Sequence, residues 1–279
     1  MNTIRKQLAG ILLVISSTSL VLAQTPTPDR INVPLSDPGR PVMLRVGLIS
    51  GSITVKGSST KEVVVEARTR VEEEDREERS EAPRGLRRIP NTSTGLSVEE
   101  DDNIVRISTG SRGGSHTTDL TIEVPTACSM KLSTINDGDI KVQNVTGDLE
   151  ISNTNGNVTL TGISGSAVAH ALNGDLIVTF VKVNPQRAMS FSSMNGRIDV
   201  TLPSDTKATL SLKNEMGEIY SDFDMKIEPT TTRVEEGGKG KVGKYHVKVE
   251  KAMRGVINGG GMEMQFSNYN GDIYIRKGK

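Results

Sequence analysis

The stretch NVTGDLEISNTNGNVTLTGISGSAVAHALNGDLIV, residues 144–178, has a glycine at every ninth position. After most of these glycines, apolar residues stand at the second and fourth positions and polar residues fill the places between. Leu149 and Ile151 follow Gly147 in this way, with Asp148 and Glu150 on the polar positions. Alternation at a period of two is the signature of a strand with one buried and one wet face. Each nine-residue unit is therefore predicted to be one short strand plus a corner.

The corners alternate in type, since Asn155-Gly156 and Asn173-Gly174 are Asx-Gly pairs whereas Thr146-Gly147 and Ser164-Gly165 are not. The true repeat is therefore 18 residues, or two strands. The same arrangement of a glycine followed by alternating apolar residues recurs at wider intervals further along the chain. Such a long-period repeat is stronger evidence for the fold than any single short motif. Glycine fits a sharp bend because it tolerates backbone conformations that other residues avoid. The predicted structural corners are Gly138, Gly147, Gly156, Gly165, Gly174, Gly196, Gly217 and Gly271.

Two architectures satisfy this pattern, an antiparallel meander of hairpins or a solenoid whose coils are 18 to 22 residues long. Asn-Gly is a strong hairpin signal and residue parity permits hairpins, so the pattern does not exclude a meander. Recurrence of equivalent corners favours the solenoid, in which Asn155 and Asn173 would stack on successive coils. The predicted fold is all-β, a single-stranded right-handed β-solenoid with short strands and Asn/Asp-Gly corners.

The first residues have the pattern of a secretory signal peptide spanning residues 1–23. Arg5 and Lys6 precede an apolar run, and small residues lead to a cleavage site between Ala23 and Gln24. The alternative is an uncleaved anchor, but the apolar run is shorter than the roughly 20 residues that span a bilayer. Residues 24–41 are expected to be a Pro-rich lead-in with no core of its own. The mature chain is thus expected to be exported, to the periplasm or the cell surface, without a membrane span.

Composition narrows the class of function. The chain has 34 lysine and arginine residues and 34 aspartate and glutamate residues, so its formal net charge is zero. A chain without net positive charge has no overall electrostatic attraction to nucleic acid. The single cysteine, Cys128, cannot form an internal disulfide; it is interpreted as a buried apolar residue, with a reactive or intermolecular thiol as the alternative. Aromatic residues make up only 3% and tryptophan is absent. The core is therefore expected to consist of layered aliphatic side chains.

Several segments resemble the bacterial putative-adhesin family, a family of unknown function similar in style to head-GIN adhesin-like domains. They are LTIEVPTACSMKLSTINDGDIKVQNVTGDLEISNTNGNVTLTGISG, MSFSSMNGRIDVTLP and INGGGMEMQFSNYNGDIYIR. The resemblance covers residues 42–279 and implies a β-solenoid exposed outside the cytoplasm, with no established chemistry. Two segments depart from the core pattern: a charged insertion at about 71–92, interpreted as a solvated helix or loop, and a flexible loop at about 230–244.

No motif in the chain predicts catalysis or cofactor binding. Gly238, Gly243 and Lys244 have phosphate-loop spacing, but Tyr245 stands where serine or threonine must hold magnesium. The loop is therefore interpreted as a hairpin tip. The histidines lack the spacing of zinc ligands, and a Ser-His-Asp set could be assembled from any chain this rich in serine. The histidines are His116, His170 and His246.

Acidic residues recur directly after the corner glycines, as in calcium-binding nonapeptide solenoids. They are Asp139, Asp148, Asp175 and Asp272, but the equivalent places on other repeats are Asn157, Ser166 and Arg197. The Gly-Gly-x-Gly-x-Asp run of such solenoids is also missing. The acids are therefore interpreted as part of a solvated outer face, and no catalytic, cofactor or metal site is predicted.

The sequence favours a non-enzymatic surface or envelope scaffold whose rows of polar side chains bind an envelope protein or a polysaccharide. One alternative is a carbohydrate-active enzyme on a β-helix, which would need two carboxylates and an aromatic sugar platform on one face. Another is an envelope-stress sensory or regulatory domain. That function would be favoured by a signalling domain in the same chain, which the sequence does not show.

Overall fold

The computed structural model describes residues 28–70, 95–109, 117–236 and 246–278. These residues form a 20-stranded sheet and no helix. Within the same ranges, no helix is long and apolar enough to cross a membrane. The strands are β1 (Asp29–Pro34), β2 (Val42–Ser50), β3 (Ile53–Ser58), β4 (Glu62–Arg70), β5 (Leu96–Asp101), β6 (Ile104–Thr109), β7 (Thr117–Pro125), β8 (Cys128–Asn136), β9 (Ile140–Gln143), β10 (Thr146–Asn155), β11 (Val158–Asn173), β12 (Leu176–Val183), β13 (Met189–Asn195), β14 (Ile198–Leu202), β15 (Ala208–Met216), β16 (Ile219–Ser221), β17 (Met225–Glu236), β18 (His246–Ile257), β19 (Met262–Asn270) and β20 (Ile273–Lys277).

Parallel pairing divides most strands into two stacks. Face A runs β6, β2, β8, β10, the second half of β11, β13, β19 and β15. Face B runs β7, β3, β9, the first half of β11, β12, β14, β20 and β16. A coil is one strand of each face, and Asn155 pairs with Asn173 on the next coil. The β-solenoid prediction is confirmed, and the antiparallel meander is excluded.

One of the two kinds of corner is a bend within a strand. β11 passes from face B to face A without interruption, and its pairing with β12 shifts register between Thr161 and Ser164. Gly162, at φ +70°, takes the left-handed conformation at this bend. Gly147 and Gly165 accordingly lie inside β10 and β11, whereas the Asx-Gly corners lie between strands.

The core consists of side chains stacked in layers along the solenoid axis. Val158, Leu176 and Ile198 are in register on successive coils and fully buried. On face A, Phe191 and Phe266 face each other with ring centroids 5.2 Å apart. Each layer thus contacts the layers above and below it, and burial of a side chain of this size contributes roughly 1.5–3 kcal/mol.

The coils do not stack in the order of the sequence. The coil β2/β3 lies between β6/β7 and β8/β9. At the other end, the coil β19/β20 lies between β13/β14 and β15/β16. Each end of the solenoid therefore contains one coil that separates two others.

Antiparallel strands cover both ends of the stack. At one end β4 pairs with β7, β1 with β4, and β5 with β6. At the other end β18 pairs with β15, and β17 with β18. Residues 24–41 are predicted to have no core of their own, and in the structure this segment includes β1 and buries Val33 and Leu35 in the shared core. Apolar side chains at the end of the stack need a cover, and this segment provides it.

Three predicted segments lie wholly or mostly outside the described residues, and their predictions stay predictions. They are the signal peptide at residues 1–23, the charged insertion at about 71–92 and the loop at about 230–244. Residues 230–236 of that segment belong to strand β17, which pairs antiparallel with β18, and residues 237–244 lie outside the described ranges. His116 and the phosphate-loop-like residues Gly238, Gly243, Lys244 and Tyr245 also lie outside the described ranges.

Candidate binding surface

All eight predicted corner glycines lie against backbone of a neighbouring coil. A Cβ added to Gly174 would be 2.2 Å from the carbonyl oxygen of Gly156, and one added to Gly196 would be 2.2 Å from that of Gly174. Gly147, inside β10, would place its Cβ 2.5 Å from the carbonyl oxygen of Cys128. The glycines are therefore required by the close approach of stacked coils. Corners of this kind hold the strands in register and so align the outward side chains.

Inside the corners, a row of polar side chains, buried except for the half-buried Asn214, donates to glycine carbonyls of the neighbouring coil. Sequence reasoning missed this row, although asparagine precedes three corner glycines by three positions, in NTNG, NEMG and NYNG. Ala171, which has no donor, occupies the equivalent place beside Gly156. The donors are Thr134 Oγ1 to Gly51 O (2.9 Å), Asn153 Nδ2 to Gly138 O (3.0 Å), Ser193 Oγ to Gly174 O (3.2 Å), Asn268 Nδ2 to Gly196 O (2.9 Å) and Asn214 Nδ2 to Gly271 O (3.1 Å).

Asp139, Asp175 and Asp272 accept backbone hydrogen bonds from the neighbouring coil, whereas Asp148 accepts the hydroxyl of Ser166. Asp139 Oδ1 accepts the N–H of Asn157 at 2.9 Å, and Asp175 Oδ1 accepts the N–H of Arg197 at 3.0 Å. Asn157 continues the row by accepting the N–H of Asp175 at 2.8 Å. Asparagine can replace aspartate here because both offer the oxygen that this contact needs. Among the described residues, no three His, Cys, Asp or Glu side chains form a group that could hold a metal ion.

Just before the corners, asparagine side chains form a ladder along the edge of face A. Asn155 Nδ2 donates to Asn136 Oδ1 at 3.1 Å, and Asn173 Nδ2 donates to Asn155 Oδ1 at 2.9 Å. Asn195 Nδ2 extends the ladder to Asn173 Oδ1 at 2.8 Å. In-register stacking of identical residues is what the sequence repeat predicts for a solenoid.

Between β2 and β19, three adjacent rows of face A contain no Asp, Glu, Lys or Arg, and we call them together the neutral strip. The serine row is Gly47, Ser133, Ser152, His170, Ser192 and Ser267. The apolar row is Ile49, Ile135, Thr154, Leu172, Met194 and Tyr269. The asparagine row is Ser50, Asn136, Asn155, Asn173, Asn195 and Asn270. Each row is therefore dominated by one kind of side chain over six strands, with Gly47 and His170, Thr154 and Ser50 as the exceptions.

Beside the neutral strip, face A contains a groove made of two adjacent cavities. One has a volume of about 650 Å³ and is bounded by Met253 and Arg254 of β18. The other, of about 370 Å³, lies beside Arg45 and Lys131. Both are lined by Val168 and Ala188, so they meet at the middle of the face. Cavities of these sizes are in the range of ligand sites.

His170 is the predicted histidine whose side-chain contacts the structure describes. Its Nδ1 lies 2.9 Å from Ser192 Oγ in the serine row. On the other side in the same row stands Ser152, so the row supplies a hydroxyl where a hydrolase would place the carboxylate that orients the histidine. The Ser-His pair is therefore a hydrogen-bonded part of the row.

Face B carries an aromatic pair that sequence reasoning missed. Tyr220 and Tyr274 stack with centroids 5.2 Å apart and an interplanar angle of 12°, and each lies three residues after a corner glycine. The hydrogen bond to Asp272 raises the pKa of Tyr274. Arg276 lies 5.0 Å from the Tyr274 ring and binds Asp199 through Nε at 2.7 Å and Nη2 at 3.0 Å.

Comparison with known proteins gives the chain a family. No curated protein matches it. Two solved structures resemble it at 12% identity: a "putative cell adhesion protein" from Clostridium sporogenes ATCC 15579 and a "putative adhesin" from Bacteroides fragilis NCTC 9343. Each alignment covers 90% of this chain. The alignment with the Clostridium protein covers 100% of that chain, with a TM-score of 0.46, and the alignment with the Bacteroides protein covers 97%, with a TM-score of 0.37. The model of the Toastrack DUF4097 family matches residues 105–258, more than half of the sequence, and the chain belongs to that family.

Proposed function

We propose that this protein is an exported, non-enzymatic scaffold that acts in an adhesion-like way by holding an extended partner across face A. The observation that carries the proposal is the registered rows of outward side chains, which continue from β2 to β19. Such rows repeat the same contact at each strand spacing, about 4.8 Å. A partner lying along the solenoid axis would collect several weak contacts of one kind.

The stacked core supports this role because it fixes the spacing of those contacts. Outward residues such as Ser152 are mounted on strands whose inner residues, such as Ile151, are buried in the core. A rigid array pays little ordering entropy on binding, and weak contacts made together give a useful affinity. The groove at Val168 and Ala188 adds concave surface to the same face.

Export to the periplasm or the cell surface is part of the proposal, supported by the signal-peptide pattern of residues 1–23. We expect cell fractionation to place the mature chain, beginning at Gln24, outside the cytoplasm. Protease treatment of intact cells would then separate a periplasmic from a surface location. A chain that stays cytoplasmic with its first residues intact would contradict this part.

One observation favours a second candidate, a carbohydrate-active enzyme. Tyr220 and Tyr274 form an aromatic pair with Asp199 and Asp272 nearby, which is the combination that such an enzyme would need on one face. Both carboxylates have partners, however, since Asp199 binds Arg276 and Asp272 accepts the N–H of Glu218. We therefore rank this function second.

One experiment tests the choice between scaffold and enzyme. Purified mature protein is assayed against immobilised envelope polysaccharides and envelope proteins for retention, and against the same polysaccharides for release of reducing ends. Ser152→Arg, an exposed change on face A, is expected to reduce retention by at least about tenfold, and Thr161→Arg, its exposed counterpart on face B, is expected to leave it unchanged. Sustained release of reducing ends, or equal losses in both variants, would contradict the proposal.

A further inference from the structure

The absence of formal charge from the neutral strip is the starting observation. Charged residues make up 24% of the chain, so three rows of six positions would ordinarily carry about four of them. Charged side chains stand on both sides of the strip, with Lys131 and Glu150 toward the groove and Asp139 and Asp175 beyond the corners. The lack of charge is therefore specific to these rows.

The apolar row adds a second observation. Ile49, Ile135, Met194 and Tyr269 are exposed by 58%, 47%, 45% and 51%, and Thr154 and Leu172, both half-buried, stand between Ile135 and Met194. Single exposed apolar residues are ordinary, but a contiguous apolar surface marks a place where something binds. Here the exposed side chains form one line parallel to the solenoid axis.

The dimensions of the strip point to a slender ligand. Six strands at about 4.8 Å spacing give a length of about 24 Å, and the three rows are about 10 Å across. That area is well below the roughly 800 Å² per partner that a stable protein complex buries. A second copy of this chain would therefore need much more surface than the strip offers, whereas a single polymer chain would be covered along its length.

Hydrogen-bonding groups flank the apolar row on both sides. The asparagine ladder uses one N–H and one acceptor position of Asn155 and Asn173, so each amide keeps a second N–H and a second lone pair. On the other side the serine row offers hydroxyls at Ser133, Ser152 and Ser267. These groups donate and accept without charge, as sugar hydroxyls do.

We propose that the neutral strip binds an uncharged, extended oligosaccharide that lies along the solenoid axis. The apolar row would contact the C–H faces of the sugar rings, while the serine and asparagine rows bind the hydroxyls at their edges. This inference rests on the proposed scaffold function and names its ligand class.

A peptide fits the same surface less well. Peptides that add to β-sheets bind at an edge, through the unpaired N–H and C=O groups of an outer strand. The strip lies on a face, where the strands from β2 to β19 are already paired on both sides. The backbone amides of a peptide lying there would meet side chains only.

Calorimetric titration of the folded mature protein tests the inference. The probes are hexamers of β-1,4-linked glucose, of β-1,4-linked N-acetylglucosamine and of α-1,6-linked glucose, with a galacturonate hexamer as the charged comparison. We expect at least one neutral hexamer to bind at least about tenfold more tightly than the galacturonate. Met194→Lys and Tyr269→Ala are each expected to weaken that binding by about tenfold or more, and Thr179→Lys on face B is expected to leave it within about twofold.

The outcomes separate the ligand class from the scaffold function. Failure of all three neutral hexamers to bind at millimolar concentration would overturn the oligosaccharide, and so would binding that survives both face A variants. A different outcome is that no hexamer binds, but an envelope protein is retained by the wild type and not by Met194→Lys. That result would overturn the oligosaccharide as the ligand and would support the scaffold function. Retention of every partner that is insensitive to both Met194→Lys and Ser152→Arg would overturn both proposals. Thermal melts of each variant confirm that the fold is kept.

Discussion

At Gly174 one coil passes so close to the next that a side chain has no room. The sequence suggests a corner whose backbone conformation excludes other residues, but φ is +159°, near the extended range. Crowding is the larger effect, because a Cβ would lie 2.2 Å from the carbonyl oxygen of Gly156 and 2.6 Å from its carbon. Gly259 is the opposite case, with φ +85° and nothing within 4 Å of its added Cβ. Substitutions at these two glycines therefore distinguish the free-energy cost of steric crowding from the cost of an unfavourable backbone conformation.

We expect Gly174→Ala to lower the free energy of unfolding by more than about 2 kcal/mol, because backbone atoms of two coils must move apart. Gly174→Val should cost more still. Gly259→Ala is the control, with an expected cost of about 1 kcal/mol from backbone conformation. Urea denaturation of both variants measures the difference. Equal costs at the two positions would show that coil spacing adapts to a methyl group.

The interior polar row predicts a stabilising change at Ala171. A hydroxyl there should donate to the carbonyl of Gly156, as Ser193 does to Gly174 at 3.2 Å. Ala171→Ser is therefore expected to raise the free energy of unfolding by about 0.5–1.5 kcal/mol. Ala169→Ser is the matched control, expected to be destabilising because it places a hydroxyl between the buried apolar side chains of Ile151 and Phe191. If both substitutions destabilise equally, the row does not cap the corners as described.

Cys128 gives the fold a dependence on alkaline pH. Burial raises the pKa of the thiol to about 12 from an ordinary value of 9.0. The folded state keeps the proton that the unfolded state loses, so this contribution to stability is complete below about pH 9 and is lost as pH rises toward about 12. We expect wild type to lose stability relative to Cys128→Ala as pH rises from about 9 toward about 12, in denaturant titrations. Parallel curves for the two proteins would contradict a buried thiol.

At the scale of strands, stability comes from layers shared by successive coils. Leu176 contacts Val158 on one side and Ile198 on the other through the register of β11, β12 and β14. A change in one layer is therefore transmitted along the axis, as in other repeat proteins whose neighbouring units share an interface.

We expect Leu176→Asp to place an unpaired carboxylate in the core and to cost several kcal/mol. Hydrogen exchange should accelerate in β11 and β14 as well as in β12, because the damaged layer belongs to all three strands. Thr179→Asp, on the outward side of β12, is the control and should leave exchange close to wild type. Faster exchange confined to residues 170–180 in Leu176→Asp would show that the coils are independent.

Strand type and corner positions were predictable because the period-two alternation and the Asx-Gly pairs are local. The antiparallel caps were not, since β1 lies in a Pro-rich segment whose two buried residues, Val33 and Leu35, form no repeat. The candidate surface was partly predictable. Asparagine stacking follows from the repeat, whereas the apolar row does not, because Ile49 and Tyr269 are brought into line only by pairing between distant segments.

For the whole molecule, the order of coils matters more than their number. The coil β19/β20 pairs with β13/β14 on one side and with β15/β16 on the other. It is therefore an internal coil of the stack, although it comes last in the sequence. In a solenoid whose coils follow sequence order, removal of the last repeat breaks one interface between neighbouring repeats. Here, removal of the last described coil would break contacts in the middle of a stack.

We expect deletion of residues 262–279 to abolish the cooperative thermal transition and to make β13 to β16 sensitive to protease. Removal of residues 278 and 279 only is the control, since it leaves β20 complete, and should shift the melting temperature by a few degrees at most. Protection of β15 and β16 at the wild-type level in the larger deletion would show that they dock directly on β13 and β14.

The position of β19/β20 between two earlier coils also determines when the C-terminal coils can fold during synthesis. The coil β2/β3 is made before both of its neighbours and can serve them as a template, but β19/β20 is made after both of its neighbours. The C-terminal half therefore cannot close before residue 277 has left the ribosome. A chain exported as proposed would reach the translocation channel with this half still unfolded and would complete it on the far side of the membrane.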